Sequence, residues 1–228
     1  MKNILARGGI EFLAVFLGIA LSLWVDDFQE KKDIKNRLKD DYKKIHVEIK
    51  EDLDHIDTLI VSNNNYVDRV EYLITVLDGL ELFDFNKVVT MVGTLQAPTF
   101  FGNQSAYSSS VASGRFNMSK DELLIQPISK LYEHFYNRLI LNGDLLDQRA
   151  EAFDREHALR FFKPMYKSTN VDTVSIKNYF YGEKFHNGLL LYHDFRKNTY
   201  LQRLLDTRDK LIEVDSIINI FFENSSLD

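Results

Sequence analysis

The apolar residues of this chain are unevenly distributed, and their longest run lies near the start. Residues 8–25 contain Glu11 as their only ionisable side chain. At 1.5 Å per residue, a helix over these 18 residues is roughly 27 Å long, which is close to the hydrocarbon thickness of a bilayer. The pattern therefore predicts a transmembrane helix.

Besides an uncleaved anchor, this run has two other interpretations. A cleaved signal peptide would share the basic start supplied by Lys2 and Arg7, but Leu23–Asp27 holds bulky and acidic residues where a small-residue cleavage site belongs. A core helix of a soluble protein is the other interpretation, but this run has almost no polar face, which argues against a half-exposed soluble helix. We therefore predict a transmembrane anchor over residues 1–28 and a second domain over residues 29–228.

One face of the predicted anchor carries small and charged residues. At 100° per residue, this face falls within about 60° on a helical wheel. It comprises Arg7, Glu11, Ala14, Gly18 and Ser22. Small residues at every fourth position let two helix backbones approach closely. We expect this seam to pack against a second copy of the chain or against a membrane partner subunit.

Glu11 has two interpretations. An ionisable residue inside a membrane is costly and indicates function, for example a proton site. Alternatively, Glu11 lies close enough to the end of the span to reach the headgroups, or to pair with Arg7 one turn earlier.

After the anchor, apolar residues recur with spacings of 4, 4 and 3. They are Ile34, Leu38, Tyr42, Ile45, Ile49, Leu53, Ile56 and Ile60. An eleven-residue period keeps an apolar stripe almost straight along a helix. It predicts a long juxtamembrane helix over 29–62 that packs on its own domain, the alternative being a coiled coil with a second copy. Ser62–Asn65 indicates a turn at its end or a loosened point in the helix.

The rest of the chain also shows helical patterns. Asp84 is suited to cap a short helix through Val92, and Gly114 to end a helix over Gln104–Ser113. A capping box at 119–122 precedes a helix to about Phe162, and a last helix spans about Lys184–Phe222. Residues 171–181 fit no clear pattern. The fold expected is all-α: a transmembrane helix that continues into an antiparallel helical bundle.

Composition and charge exclude some functions. The net charge of −6 and the pI near 5.6 provide no basic surface, so we expect no nucleic-acid partner. The absence of cysteine rules out disulfides and thiolate metal ligands.

Charges near the anchor bear on its orientation. The 15 residues after the span contain five Lys or Arg, which favours a cytoplasmic body. However, Asp26, Asp27 and Glu30 lie directly at the exit, and Arg7 lies directly before the span. We expect a single-pass protein of the bacterial inner membrane with its body in the periplasm, a cytoplasmic body being the alternative.

Two segments resemble a known family. Ile10–Phe28 resembles the opening of a family of uncharacterised bacterial membrane-anchored proteins, in which a Glu precedes a glycine-containing apolar span. Tyr107–Phe116, continuing through Glu122-Leu123 to Leu131-Tyr132, resembles that family's tyrosine, small residues and Ser-Gly before a long helix. The resemblance departs at Leu131, where relatives tend to have a second tyrosine. It implies the anchor and the bundle, and it implies no activity.

Motifs for chemistry are scarce. No nucleotide-binding loop, nucleophile elbow or zinc-protease motif occurs. The best metal candidates are the two i, i+3 pairs Asp52/His55 and Asp154/His157, since helical bundles hold di-iron sites with such pairs. Those sites normally use Glu, and His55 lies near the edge of the apolar stripe, so we expect neither a metal site nor a cofactor.

These observations favour a non-enzymatic, membrane-anchored helical module that acts as a scaffold, accessory subunit or sensor-like domain. Its expected partners are the lipid bilayer and a second copy or a membrane subunit. An enzyme or metal-binding bundle that uses the Asp/His pairs is the alternative. A proton or ion pathway through Glu11 is a further alternative, and it requires an oligomer.

Overall fold

The described part of the protein consists of helices joined by turns and one extended segment. The computed structural model describes residues 2–119, 121–166 and 171–224, without the side chains of residues 2–12 and 14, and it contains no strand among them. The shorter helices are α2 (Phe85–Gly93), α3 (Ser105–Ala112), α4 (Arg115–Met118) and α6 (Thr173–Phe180). The long ones are α1 (Lys2–Leu77), α5 (122–165) and α7 (183–224). The all-α prediction is confirmed.

Helices α5 and α7 contain π-helical turns. In α5, the α-helical segments Glu122–Lys130, Asn137–Phe153 and Leu159–Met165 are joined by the π-helical segments Leu131–Tyr136 and Asp154–Ala158. In α7, the π-helical segment Arg196–Tyr200 joins Glu183–Phe195 to Leu201–Asn224. A π-helical turn inserts a residue into the helix and rotates the side chains that follow, and such turns are frequent at functional sites.

Helix α1 is continuous from Lys2 to Leu77, so the predicted turn at Ser62–Asn65 is wrong. The asparagine that indicated a turn is buried instead. The side-chain nitrogen of Asn63 donates to the carbonyl oxygens of Leu59 and Pro98, at 2.8 and 3.3 Å. Asn63 therefore links α1 to the segment that contains Pro98, and it does not end the helix.

The eleven-residue stripe of α1 packs on its own domain from Leu38 onwards. Leu38, Tyr42, Ile45, Ile49 and Ile56 are buried in the core. The stripe lies against α7, which runs in the opposite direction. The ring of Tyr42 meets that of Phe221 at 5.5 Å, whereas the ring of Tyr66 meets that of Tyr192 at 5.4 Å. The packing of this stripe on its own domain is confirmed.

The bundle is not antiparallel throughout, which corrects the prediction. Helix α5 also runs against α7, because the Phe153 ring stacks on Tyr192 while residues 122–130 lie beside residues 201–224. Helices α1 and α5 are therefore parallel. They are parallel because residues 78–121, which connect them, return along the whole length of the body before α5 begins. A short turn would instead have made the two helices antiparallel.

Two predicted helix ends are confirmed and one is wrong. The Asp84 carboxylate accepts from the Lys87 backbone N–H at 3.0 Å and caps α2, and Gly114 follows α3 with a φ of +74°. The predicted capping box does not form. Ser119 has extended backbone, and Asp121 takes the position before α5. Lys120 lies outside the described residues.

Helices α5 and α7 approach closely at Gly188. A Cβ atom on this residue would lie 2.3 Å from Nε2 of His157. The His157 ring is buried and its Nδ1 is bonded to the Tyr179 hydroxyl at 2.7 Å, so it has little room to move. We predict that Gly188→Ala lowers the free energy of unfolding by about 1–3 kcal/mol, because overpacking strains a filled core. Urea unfolding followed by circular dichroism measures this change.

Gly143→Ala on α5 is the matched control. Its Cβ would meet Thr99 at 3.4 Å, an ordinary contact. The better helix propensity of alanine should then stabilise the protein by up to about 1 kcal/mol. Equal effects of the two substitutions would contradict the close packing of α5 on α7 at this point.

Candidate functional site

The predicted membrane seam is only partly described. The side chains of Arg7, Glu11 and Ala14 lie outside the described residues. Gly18 and Ser22 are exposed on α1, and a Cβ on Gly18 would have no atom within 4 Å. The packing of this seam against another helix stays a prediction.

The predicted transmembrane helix receives no direct support. In the part of the chain that the structure describes, no helix carries an apolar stretch long enough to cross a membrane. The described side chains of the predicted span are Leu13 and residues 15–25.

The metal candidates Asp52 and His55 have other roles. The Asp52 carboxylate is buried and accepts from the Tyr136 hydroxyl at 2.5 Å and from the Asn103 backbone N–H at 3.0 Å. The His55 ring stacks on Phe100 with 5.8 Å between centroids. Asp52 is therefore held by hydrogen-bond donors, and these two residues contribute to the packing of the body.

Asp154 and His157 lie on the second π-helical turn of α5. Burial lowers the pKa of His157, which favours the neutral ring, and Nδ1 of that ring is bonded to the Tyr179 hydroxyl. Burial raises the pKa of Asp154, and a hydrogen bond from the Gln96 side chain opposes that rise. Among the described residues, no group of three or more His, Asp or Glu side chains is arranged to hold a metal ion.

Three buried acids of α1 bind the returning segment 95–115 instead. Asp41, Glu48 and Asp52 lie at positions i, i+7 and i+11, so they share one face of the helix. Glu48 sits at the start of α3 and accepts from the Ser105 hydroxyl at 2.5 Å and from the Ala106 N–H at 3.0 Å. A carboxylate at a helix N-terminus satisfies free N–H groups and complements the helix dipole.

Asp41 anchors the far end of the returning segment. It accepts from the Ser110 hydroxyl at 2.8 Å and from Nε and Nη2 of Arg115 at 2.7 and 3.2 Å. Burial acts to raise the pKa of Asp41, but the hydrogen bonds from Arg115 and Ser110 outweigh it, so this pKa lies below its ordinary value. For Asp52 burial prevails, and its pKa is raised.

The segment Tyr107–Phe116, which resembles the known family, also packs on the body. Tyr107 stacks on Tyr132 with ring centroids 4.4 Å apart, and its hydroxyl donates to Glu133 at 2.6 Å. Phe116 is buried edge-on against Tyr107 at 5.2 Å. With Ser110 and Gly114, these residues hold α3 and α4 on the body, so their role is structural.

The most unusual buried group is Arg196, which sequence reasoning missed. Its side chain is 1 % exposed, at the start of the π-helical turn of α7. Nη1 donates to Asn63 Oδ1 at 2.6 Å and to the Ala97 carbonyl oxygen at 3.3 Å, and Nη2 donates to the Tyr192 hydroxyl at 2.8 Å. The buried Nε has no hydrogen-bond partner among the described residues. Its position four residues after Tyr192 and four before Tyr200, on the apolar stripe, was the available signal.

Arg196 lies under a groove with a volume of about 420 Å³. The groove runs between the returning segment, α5 and α7, and it is lined by Gln96, Ala97, Pro98, Asp147, Ala150, Asp154, Tyr192 and Arg196. Asp147 accepts from the Thr99 hydroxyl at 3.0 Å, which keeps its carboxylate at the groove wall. One buried cation and two acids therefore share a single concave surface.

The Ser110–Asp41 hydrogen bond is open to a direct test. We predict that Ser110→Ala lowers the free energy of unfolding by about 1–3 kcal/mol, because it leaves a buried carboxylate short of a donor. Since the folded-state pKa of Asp41 is lowered, its stabilisation is present above its ordinary pKa and is lost as pH falls through the lowered value. The deficit should therefore shrink in acid. Urea unfolding at pH 7 and at pH 3 measures it.

Ser108→Ala is the matched control, because Ser108 is exposed on the same helix. Both substitutions gain the same helix propensity, so their difference isolates the buried hydrogen bond. Identical unfolding curves for the two variants would contradict a stabilising role of Ser110.

Sequence comparison places this architecture in a family. The sequence signature of a family of unknown function, DUF6090, matches residues 11–182. The matched range includes most of α1, the acids that bind the returning segment, and all of α5. No curated protein and no solved structure matches the chain. Because the match covers about three quarters of the 228 residues, the chain belongs to this family of unknown function.

Proposed function

We propose that the protein is a single-pass, membrane-anchored helical module that acts through binding partners rather than through catalysis. Its anchor is residues 8–25 at the start of α1, and its body is the bundle that begins at Leu38. The observation that carries this proposal is the continuity of α1, which bears a long exposed apolar surface outside the bundle and buried core residues within it.

The exposed apolar surface is supported by the side chains that the structure describes. Their exposed fractions lie between 40 and 65 % at Leu13, Val15, Phe16, Leu17, Ile19, Leu21, Leu23, Trp24 and Val25. Burial of apolar surface contributes about 25 cal/mol per Å², so a surface of this extent in water is strongly unfavourable. The hydrocarbon chains of a bilayer would remove this apolar surface from water.

A charged stalk separates the proposed anchor from the body. Residues 26–37 are exposed apart from the half-buried Ile34, and Lys31 pairs with Asp27 at 2.6 Å. The 13-residue distance from Val25 to Leu38 corresponds to roughly 20 Å along a helix. Ser113, Arg115 and Met118 of the body flank this stalk. The rest of the body would stand away from the lipid headgroups, where partners have access to it.

The charges at both ends of the anchor support a periplasmic body in the bacterial inner membrane. Asp26, Asp27 and Glu30 follow the span directly, whereas Lys2 and Arg7 precede it. Basic residues next to a span are retained on the cytoplasmic side. The five Lys or Arg of residues 31–39 favour the opposite orientation, but large domains translocate largely regardless of their charge.

The seam of Arg7, Glu11, Ala14, Gly18 and Ser22 supports self-association or association with a membrane subunit. The open space around Gly18 leaves its backbone accessible to a second helix. Small residues at such positions permit close helix contact in lipid.

The anchor is tested by a paired substitution. We predict that Leu17→Lys together with Leu21→Lys releases the protein from the membrane, because each charge at the centre of a span costs about 2.5–3.5 kcal/mol on insertion scales. The measurement is the fraction of protein that stays in the membrane pellet after an alkaline carbonate wash.

The control is Val47→Lys together with Val61→Lys. These residues lie on the same helix, and their exposed fractions of 56 and 60 % match the 55 and 59 % of Leu17 and Leu21. The control should remain in the membrane. Release of both variants, or retention of both, would contradict an anchor at residues 8–25.

The seam is tested by oligomeric state. We predict that Gly18→Leu weakens self-association or subunit binding at least tenfold, whereas Ile19→Leu, on the neighbouring face, leaves it unchanged. Glu11→Gln should also weaken it if Glu11 contributes to the seam. Native mass spectrometry in mild detergent measures the complex. A monomeric wild-type protein without a bound subunit would contradict the assembly role of this seam.

A further inference from the structure

We propose that the groove above Arg196 binds a small zwitterion that carries one carboxylate and one ammonium group, as free α-amino acids do. This site does not depend on the proposed membrane anchor, and its ligand would be a soluble small molecule. It rests on the donors of Arg196, on the acids that face it, and on the π-helical turns that place them.

The guanidinium of Arg196 has unused hydrogen-bonding capacity. Of the five N–H groups of an arginine, Nη1 uses two on Asn63 and Ala97, and Nη2 uses one on Tyr192. The Nε–H and one Nη2–H remain. Nε and Nη2 are also the atoms that Arg115 presents to the Asp41 carboxylate in this protein.

The charge of Arg196 is incompletely compensated. Within the described residues, no Asp or Glu lies within ion-pair distance of it. The rings of Tyr66 and Tyr192 lie 4.5 and 5.3 Å from its guanidinium carbon. These cation–π contacts stabilise the charge in part. A buried charge is normally paired with an opposite charge. Because Nε is itself enclosed, a ligand carboxylate in the groove would complete the pairing through its charge and through the remaining Nη2 N–H.

The wall of the same groove selects against simple anions. Asp147 and Asp154 both line it. Their carboxylates would repel a ligand that carries only negative charge, whereas an ammonium group next to the ligand carboxylate would be attracted. A zwitterion therefore matches the groove better than either a plain carboxylate or a plain amine does.

The backbone explains how these groups converge. Asp154 is the first residue of the second π-helical turn of α5, and Arg196 is the first residue of the π-helical turn of α7. Each turn inserts a residue and redirects the side chains around it. The volume of about 420 Å³ lies within the range of small-molecule sites, which is sufficient for an amino acid.

The test uses the full-length protein in detergent micelles and the twenty free L-amino acids as probes. Isothermal titration calorimetry at pH 7 should find at least one amino acid that binds, while acetate and ethylamine do not bind at the same concentrations. No binding by any amino acid would overturn the proposal. Binding of acetate as strong as that of the amino acid would overturn it too.

Variants identify the groove as the site. Asp154→Asn should weaken binding of that amino acid at least tenfold, and Asp144→Asn, an exposed position on the same helix, should leave it unchanged. Arg196→Lys keeps the charge but loses the paired donors, so binding should also fall at least tenfold. If Arg196→Lys does not fold, the comparison of the Asp154→Asn and Asp144→Asn affinities still shows whether the groove is the binding site. Unchanged affinity of Asp154→Asn would overturn the proposal.

Discussion

The body of this protein depends on the binding of buried acids on α1 by the returning segment. Asp41, Glu48 and Asp52 accept hydrogen bonds from residues 103–115, and further along α1 Asn63 and Arg69 donate to the carbonyl oxygens of residues 94–98. Residues 95–104 are not helical and have no internal hydrogen-bond ladder, and the first N–H groups of α3 have no partner within that helix, so these polar groups must find partners outside the segment. The continuous helix α1 provides those partners along one side, and α3 and α4 gain fixed positions as a consequence.

This arrangement determines the topology of the bundle. Because the returning segment travels back along α1 from Arg69 to Asp41, α5 starts at the end of the body where α1 enters it and runs parallel to that part of α1. Helix α7 then packs against both in the opposite direction. The groove lies where all these parts meet, since Asn63 of α1, Ala97 of the returning segment and Tyr192 of α7 each bind Arg196. Its shape is therefore sensitive to the position of every major element of the body.

The same helix joins the groove to the proposed membrane anchor. Asn63, which holds Arg196, and Val25, at the end of the anchor, lie 38 residues apart on the uninterrupted α1. This separation corresponds to roughly 57 Å along a straight helix. A change in the contacts of Arg196 would act on the same continuous helix that carries the proposed anchor, with no break in the helix between the two. The structure thus combines a proposed ligand site and a proposed assembly seam on one continuous helix.

The order of the helices followed from local patterns. The eleven-residue stripe of α1, the Asp84 cap and the glycine at 114 are local signals, because each depends on residues within one or two turns. Asn63 shows where such signals fail. Its residue type favours a turn, but in the folded protein its side-chain amide donates to two carbonyl oxygens and the helix continues through it. The parallel arrangement of α1 and α5, the pairing of Asp41 with Arg115 and the groove over Arg196 depend on contacts between distant residues. Only the tertiary structure decided them, because hydrogen bonds across 74 or 133 positions leave no periodic trace in the chain.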